Sequence, residues 1–218
     1  MKGLLIKDFK LMKGQKNYFA MLFIICIIMS ISMSDTVTFV IGYMSFFAAM
    51  FTLSTVSYDE FDNGNAFLFS LPITRKIYAI EKYIFGLIVG GCALLLSTMV
   101  AVVSSYINNN AISTDILLSA VMLLPALCVF LSVMMPFQLK YGAEKSRMVM
   151  FITIGCTFLF VFGVSLISEL FGIDLGAVIK KLSMVSVWGI AVLFYVFAVL
   201  VLLFSCRVSI RIMEKKEF

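Results

Sequence analysis

Residues 83–114 read Y-I-F-G-L-I-V-G-G-C-A-L-L-L-S-T-M-V-A-V-V-S-S-Y-I-N-N-N-A-I-S-T, a run with no charged side chain. About 20 helical residues at 1.5 Å each cross a hydrocarbon core about 30 Å thick, so this run is long enough to span a membrane. Five more charge-free stretches accompany it, at Asn17–Ser34, Thr36–Tyr58, Ile116–Leu139, Met148–Ser168 and Leu182–Cys206. The composition of the 218 residues agrees, with 62% hydrophobic and 13% charged, against about half apolar and a quarter charged in soluble domains. Mean hydropathy is +1.10.

The expected fold class is therefore all-α integral membrane, one transmembrane domain over 1–218. Six spans are predicted at 17–34, 36–58, 83–106, 115–139, 148–168 and 182–206. The remaining residues are too few for a separate nucleotide-hydrolysing domain. A basic segment precedes the first span as it would a cleaved signal, but no small-x-small site closes it and five spans follow, so it reads as retained.

Fifteen of the 17 Lys and Arg residues fall on one side of these spans, in 1–16, 59–82, 140–147 and 207–218. Only Lys180 and Lys181 fall on the other. The positive-inside rule then places both termini in the cytoplasm of a plasma-membrane protein. The net charge of +5 reflects this topology and contact with anionic lipid, with no nucleic-acid partner implied. Tyr18, Tyr58, Tyr83, Tyr106 and Tyr141 sit near span ends, where an amphipathic ring bridges lipid and water. Cys26, Cys92, Cys128, Cys156 and Cys206 all lie within spans and form no C-x-x-C pair, which argues against a disulfide framework or a metal site.

The connections carry the remaining information. Segment 1–16 places Leu5, Phe9 and Met12 at spacings of four and three, and Lys7, Lys10 and Lys13 at spacings of three, predicting an amphipathic interfacial helix that turns at Gly14. The outer caps at Ser34–Asp35 and Asn108–Asp115 are tight. The outer segment 169–181, E-L-F-G-I-D-L-G-A-V-I-K-K, mixes apolar and charged residues and predicts a short interfacial helical piece. The inner segment 59–81 reads D-E-F-D-N-G-N-A-F-L-F-S-L-P-I-T-R-K-I-Y-A-I-E. Pro72 disfavours helix at Leu71, predicting a short helix that ends near Ser70. Thr74 can then cap a second helix running into span three. This leaves Phe67, Leu68, Phe69 and Leu71 exposed, either to a partner or to the membrane surface. Pro125 and Pro136 are expected to kink span four. The 207–218 tail is cytoplasmic.

Histidine is absent, which removes H-E-x-x-H zinc proteases and serine–histidine hydrolysis. All 12 acidic residues lie at span ends or in connections, which counts against carboxylate catalysis and against intramembrane ion relays. There is neither a T-V-G-Y-G filter nor a G-x-x-x-x-G-K-[ST] loop. The chain is thus no enzyme by itself, and any energy it uses comes from another subunit.

The run Glu60, Gly64–Leu68, Leu71, Pro72, Ile73, Thr74, Arg75, Lys76 and Lys82-Tyr83 resembles type-2 ABC exporter permeases, where an acidic residue follows span two and L-P-[IL]-[ST]-R leads to lysine-tyrosine at span three. It is similar in particular to small Firmicute permeases such as the phenol-soluble modulin exporter subunits. The resemblance implies that 59–81 is a coupling helix seated in a groove of a separate ATPase, with Asp59, Glu60, Phe67, Leu68, Leu71, Pro72 and Arg75 making the contact. It also implies an ATPase dimer that uses ATP and Mg, no cofactor bound by this chain, and a second permease chain in a homodimer or heterodimer. Phe and Met, 22 and 15 in number, offer adaptable apolar surface suited to hydrophobic or amphipathic peptides, including antimicrobial ones. They equally serve contact with lipid and neighbouring helices. Ser45, Thr52, Ser54, Thr55, Ser97, Thr98 and Tyr195 are polar within spans, and such hydroxyls commonly bond their own helix. A second functional reading is a non-pumping membrane immunity protein that sequesters antimicrobial peptides.

Overall fold

A computed structural model of the chain describes residues 1–32, 37–61, 64–107, 114–170 and 187–216. Every regular element of more than one residue among them is an α-helix: α1 (Lys2–Gly14), α2 (Lys16–Ser32), α3 (Val37–Glu60), α4 (Gly64–Ser70), α5 (Arg75–Ile107), α6 (Thr114–Leu170) and α7 (Val187–Lys215). Among the described residues four helices are long and apolar enough to cross a membrane, Thr38–Glu60, Arg75–Ile107, Ile116–Gly142 and Ala191–Lys215. The bent pair Lys2–Gly14 and Lys16–Ile31, at 66°, makes up to five. Six spans were expected. Helix α2 by itself is shorter than these four, and the expected span 148–168 falls on the second limb of α6.

The predicted amphipathic segment is helical, as α1. Its cap falls on Gln15, one residue beyond the expected turn, where the Gln15 N–H reaches the Leu11 and Met12 carbonyls at 3.1 Å. The prolines do not break α6: Pro125 and Pro136 lie within helical backbone, and the non-helical residue is Gly142, with φ 74°. Membrane helices tolerate proline where neighbours satisfy the freed groups. Helix α7 continues to Lys215, so most of the expected 207–218 tail is helical. The outer segment 169–181 lies almost wholly outside the described residues, as do the caps around Asp35 and Asn109.

Helix α5 is the axis of the bundle, packed on α1, α2, α3, α6 and α7. Its contact with α6 and α3 depends on Gly90, where a Cβ would stand 2.7 Å from Leu127 Cδ1 and 3.2 Å from Ala49 Cβ. Small residues of this kind let membrane helices approach closely enough for dispersion contacts to hold them, since lipid supplies no hydrophobic drive between them. The hydroxyls of Ser45, Thr55, Ser97 and Thr98 bond carbonyls three or four residues back, as expected. Tyr195 instead donates across helices to the Val121 carbonyl at 2.8 Å.

Both termini lie at one end of the bundle, where Lys7 meets Asp59 and Lys216 meets Glu60, the last residues of α3. The segment between α3 and α5 lies at that same end.

Candidate functional site

The α3–α5 connection folds as its sequence predicts. Helix α4 stops at Ser70, before Leu71-Pro72, and the Ile77 N–H donates to Thr74 Oγ1 at 3.3 Å to cap α5. The resulting hairpin has two unlike faces. Phe61 and Phe67 are each 72% exposed and Leu71 44%. Leu68, expected on the exposed face, is only 8% exposed and packs with Leu4, Val56, Tyr78, Ala79, Leu139 and Met213. A seven-residue helix can turn only one face outward, and here the inward face is Asn65 and Leu68, three residues apart. Phe69 is half-buried, its ring edge-on to Tyr78 at 5.6 Å with the Arg75 guanidinium 5.9 Å above it.

Beneath the hairpin lies an ionic cluster. Lys82 Nζ, fully buried, donates to Asp8 Oδ2 at 2.5 Å and to Thr55 Oγ1 at 3.1 Å, and pairs with Asp59 Oδ2 at 2.9 Å. Lys7 donates to Asp59 Oδ1 and lies 3.3 Å from Asp8 Oδ1. The Tyr78 hydroxyl donates to Asp59 Oδ2 at 3.0 Å. Glu81, also fully buried, stands 4.0 Å from Lys82, and neither of its carboxylate oxygens has a hydrogen-bond partner among the described residues. Burial of such charges is tolerable only when they are paired and hydrogen-bonded, so the cluster ties α1 to α3 and α5 through mutual need.

The charges expected to meet a partner each have a partner within the chain. Asp59 serves Lys7, Lys82 and Tyr78. Glu60 accepts from Lys216 at 2.8 Å, and the same ammonium donates to the Leu139 carbonyl at 3.0 Å, near the point where α6 breaks. Arg75 donates to the Glu214 carbonyl at 2.9 Å, a cation at the end of α7 where the helix dipole favours one. Pro72 is exposed between the helices. Tyr83 bonds Ser205 and Ser209 at 2.7 and 2.8 Å, joining α5 to α7.

Sequence reasoning thus found the hairpin and missed its anchor. Asp8 is the lone acid of the first 16 residues and falls in register with Leu4, a buried residue on the same face. That pairing was the available signal.

Two apolar cavities run along the α2–α5 seam, one of 280 Å³ reaching from Phe9 and Met12 of α1 to Leu96, and one of 350 Å³ from Leu96 to Ile107. Among the described residues no group of three His, Cys, Asp or Glu side chains is arranged to hold a metal ion.

The family model described as ABC-2 family transporter protein matches residues 3–214. No curated protein and no solved structure matches the chain. The match takes in nearly all of α1, the hairpin and nearly all of α7. The chain belongs to the ABC-2 transporter family, as a multi-pass membrane subunit of an ABC transporter rather than an enzyme.

Proposed function

We propose that the chain is the permease subunit of an ATP-driven exporter of hydrophobic or amphipathic peptides, similar to the phenol-soluble modulin and antimicrobial-peptide exporters. It crosses the plasma membrane six times with both termini in the cytoplasm, and two permease chains combine with two ATPase chains that use ATP and Mg. The observation that carries this reading is the two-faced hairpin: Phe61, Phe67 and Leu71 project outward, while Leu68 and the charges beneath fasten it to α1, α3, α5 and α7. An apolar knob on a stiff mount is what a groove in an ATPase can grip and push. Asp59, Glu60 and Arg75 then act as fasteners that transmit the push, with Phe67 and Leu71 as the gripped residues and Pro72 as the stiff corner.

The peptide assignment is supported by the chemistry of the helices. The described bundle keeps its buried charges at the terminal end, and the lining of its two apolar cavities holds no charged residue. A polar solute would find no replacement there for lost water. The test is to purify the chain with the product of a neighbouring ATPase frame and measure ATP hydrolysis. Stimulation by amphipathic helical peptides, and not by sugars or free ions, is expected. Peptide binding with no ATPase association at all would favour the sequestering immunity reading instead.

A further inference from the structure

We infer that the 280 Å³ cavity between α1, α2, α3 and α5 is a binding site for one acyl chain of an anionic inner-leaflet phospholipid, whose headgroup is held by Lys13 and Lys16. The inference uses the orientation proposed above and no part of the peptide assignment.

The cavity is apolar throughout, and its lining on α5 runs from Ile88 to Leu96. That is a rise of about 12 Å, close to the depth of one leaflet in a core about 30 Å thick. Leu96 marks its inner limit, where the second cavity begins. At the opposite end the T-shaped contact of Phe9 with Phe85, centroids 5.4 Å apart, forms a floor against the ionic cluster. A chain entering from the inner leaflet therefore finds apolar walls from Phe9 and Met12 to Leu96.

The register of the helices supplies the charge. The α2 lining residue Phe19 has Lys16 three positions before it, so the stripe ends on a cation at the first turn of α2. On α1, Lys13 follows the lining residue Phe9 by four positions and takes the same side. Both lysines are exposed, and neither has a hydrogen-bond or ion-pair partner among the described residues, unlike Lys7, Lys82 and Lys216. Two free ammonium groups above an apolar slot of one-leaflet depth match an anionic headgroup with its tail. Each lysine at a membrane surface favours anionic lipid severalfold.

The test uses the full-length chain in mild detergent, incubated with phosphatidylglycerol or phosphatidylcholine and weighed by native mass spectrometry. The wild type should retain one phosphatidylglycerol per chain, preferred over phosphatidylcholine by about tenfold or more. Lys13→Gln with Lys16→Gln should abolish that preference, and Leu96→Trp, which fills the slot, should reduce retention of both lipids. With a benzoylphenylalanine crosslinker in place of Cys92, an exposed lining residue, irradiation should add the mass of a lipid. Equal retention of the two lipids by the wild type, or retention untouched by Leu96→Trp, overturns the site. Crosslinking of position 92 to a second copy of the chain or to an added peptide in place of lipid assigns the groove to that occupant and overturns it equally.

Discussion

Lys82 and Glu81 are adjacent, both without solvent exposure, yet their environments are opposite. Lys82 has Asp8, Asp59 and Thr55 around its ammonium, whereas the Glu81 oxygens have no hydrogen-bond partner. Two ammonium groups, Lys7 and Lys82, face three carboxyl groups, Asp8, Asp59 and Glu81. Removing a paired member leaves an uncompensated buried charge, so Asp8→Ala should destabilise the purified chain by about 3 kcal/mol or more in thermal or denaturant unfolding. Glu81→Gln should be neutral or stabilising, because it removes an acid from a site with too few cations. A loss of stability in Glu81→Gln equal to that in Asp8→Ala would mean that the acids are equivalent and the pairing described is wrong. The motif Lys82-Tyr83 was visible in sequence, but its partners were not, because Asp8 lies 74 positions earlier among five lysines that mask it as part of a basic face.

At the scale of the element, hairpin and break are coupled through Glu60. Its carboxylate accepts from Lys216 and packs on Gly142, where a Cβ would stand 2.7 Å from Oε2. Gly142 also takes φ 74° and ψ −175°, a region other residues occupy at a cost of about 1–3 kcal/mol. Gly142→Ala should therefore destabilise the chain by an amount in that range, and the Glu60→Ala background, which clears the space, should recover only the steric part. Within the hairpin, Phe67→Asp and Leu68→Asp separate docking from folding. Phe67→Asp changes an exposed ring and should leave the unfolding midpoint unchanged while the ATPase no longer co-purifies, since contact centres commonly contribute 2 kcal/mol or more. Leu68→Asp buries a charge among Leu4, Val56 and Met213 and should lower the stability of the chain itself. Co-purification of the ATPase at wild-type yield with Phe67→Asp would remove the docking role from this face. The helix stop at Ser70 and the Thr74 cap were legible because proline geometry and capping are local rules. The facing of Leu68 was not, because a seven-residue helix between loops has no periodicity long enough to fix its rotation.

For the molecule as a whole, the hydropathy pattern foretold where helices lie, and charge distribution foretold which ends gather together. Both termini and the α3–α5 hairpin meet at one end, tied by Lys7 to Asp59 and by Lys216 to Glu60. How the helices pack could not be read in advance, since apolar surface is the same toward lipid and toward protein; local features such as the Gly90 approach to Leu127 and Ala49 distinguish one neighbour from another. The proposal that the terminal end faces the cytoplasm rests on the split of fifteen basic residues against two. In a chain whose five cysteines are replaced by alanine, single cysteines introduced at Asn109 and at Asp35 should react with an impermeant thiol reagent on intact cells, and one at Lys145 should react only after the cells are opened. The three positions bracket α3, α5 and the first limb of α6, so the pattern reports an odd or even number of crossings between them as well as direction. Labelling at Lys145 from outside would turn the bundle over. The hairpin would then face away from ATP, and an ATPase could not be what Phe67 and Leu71 await.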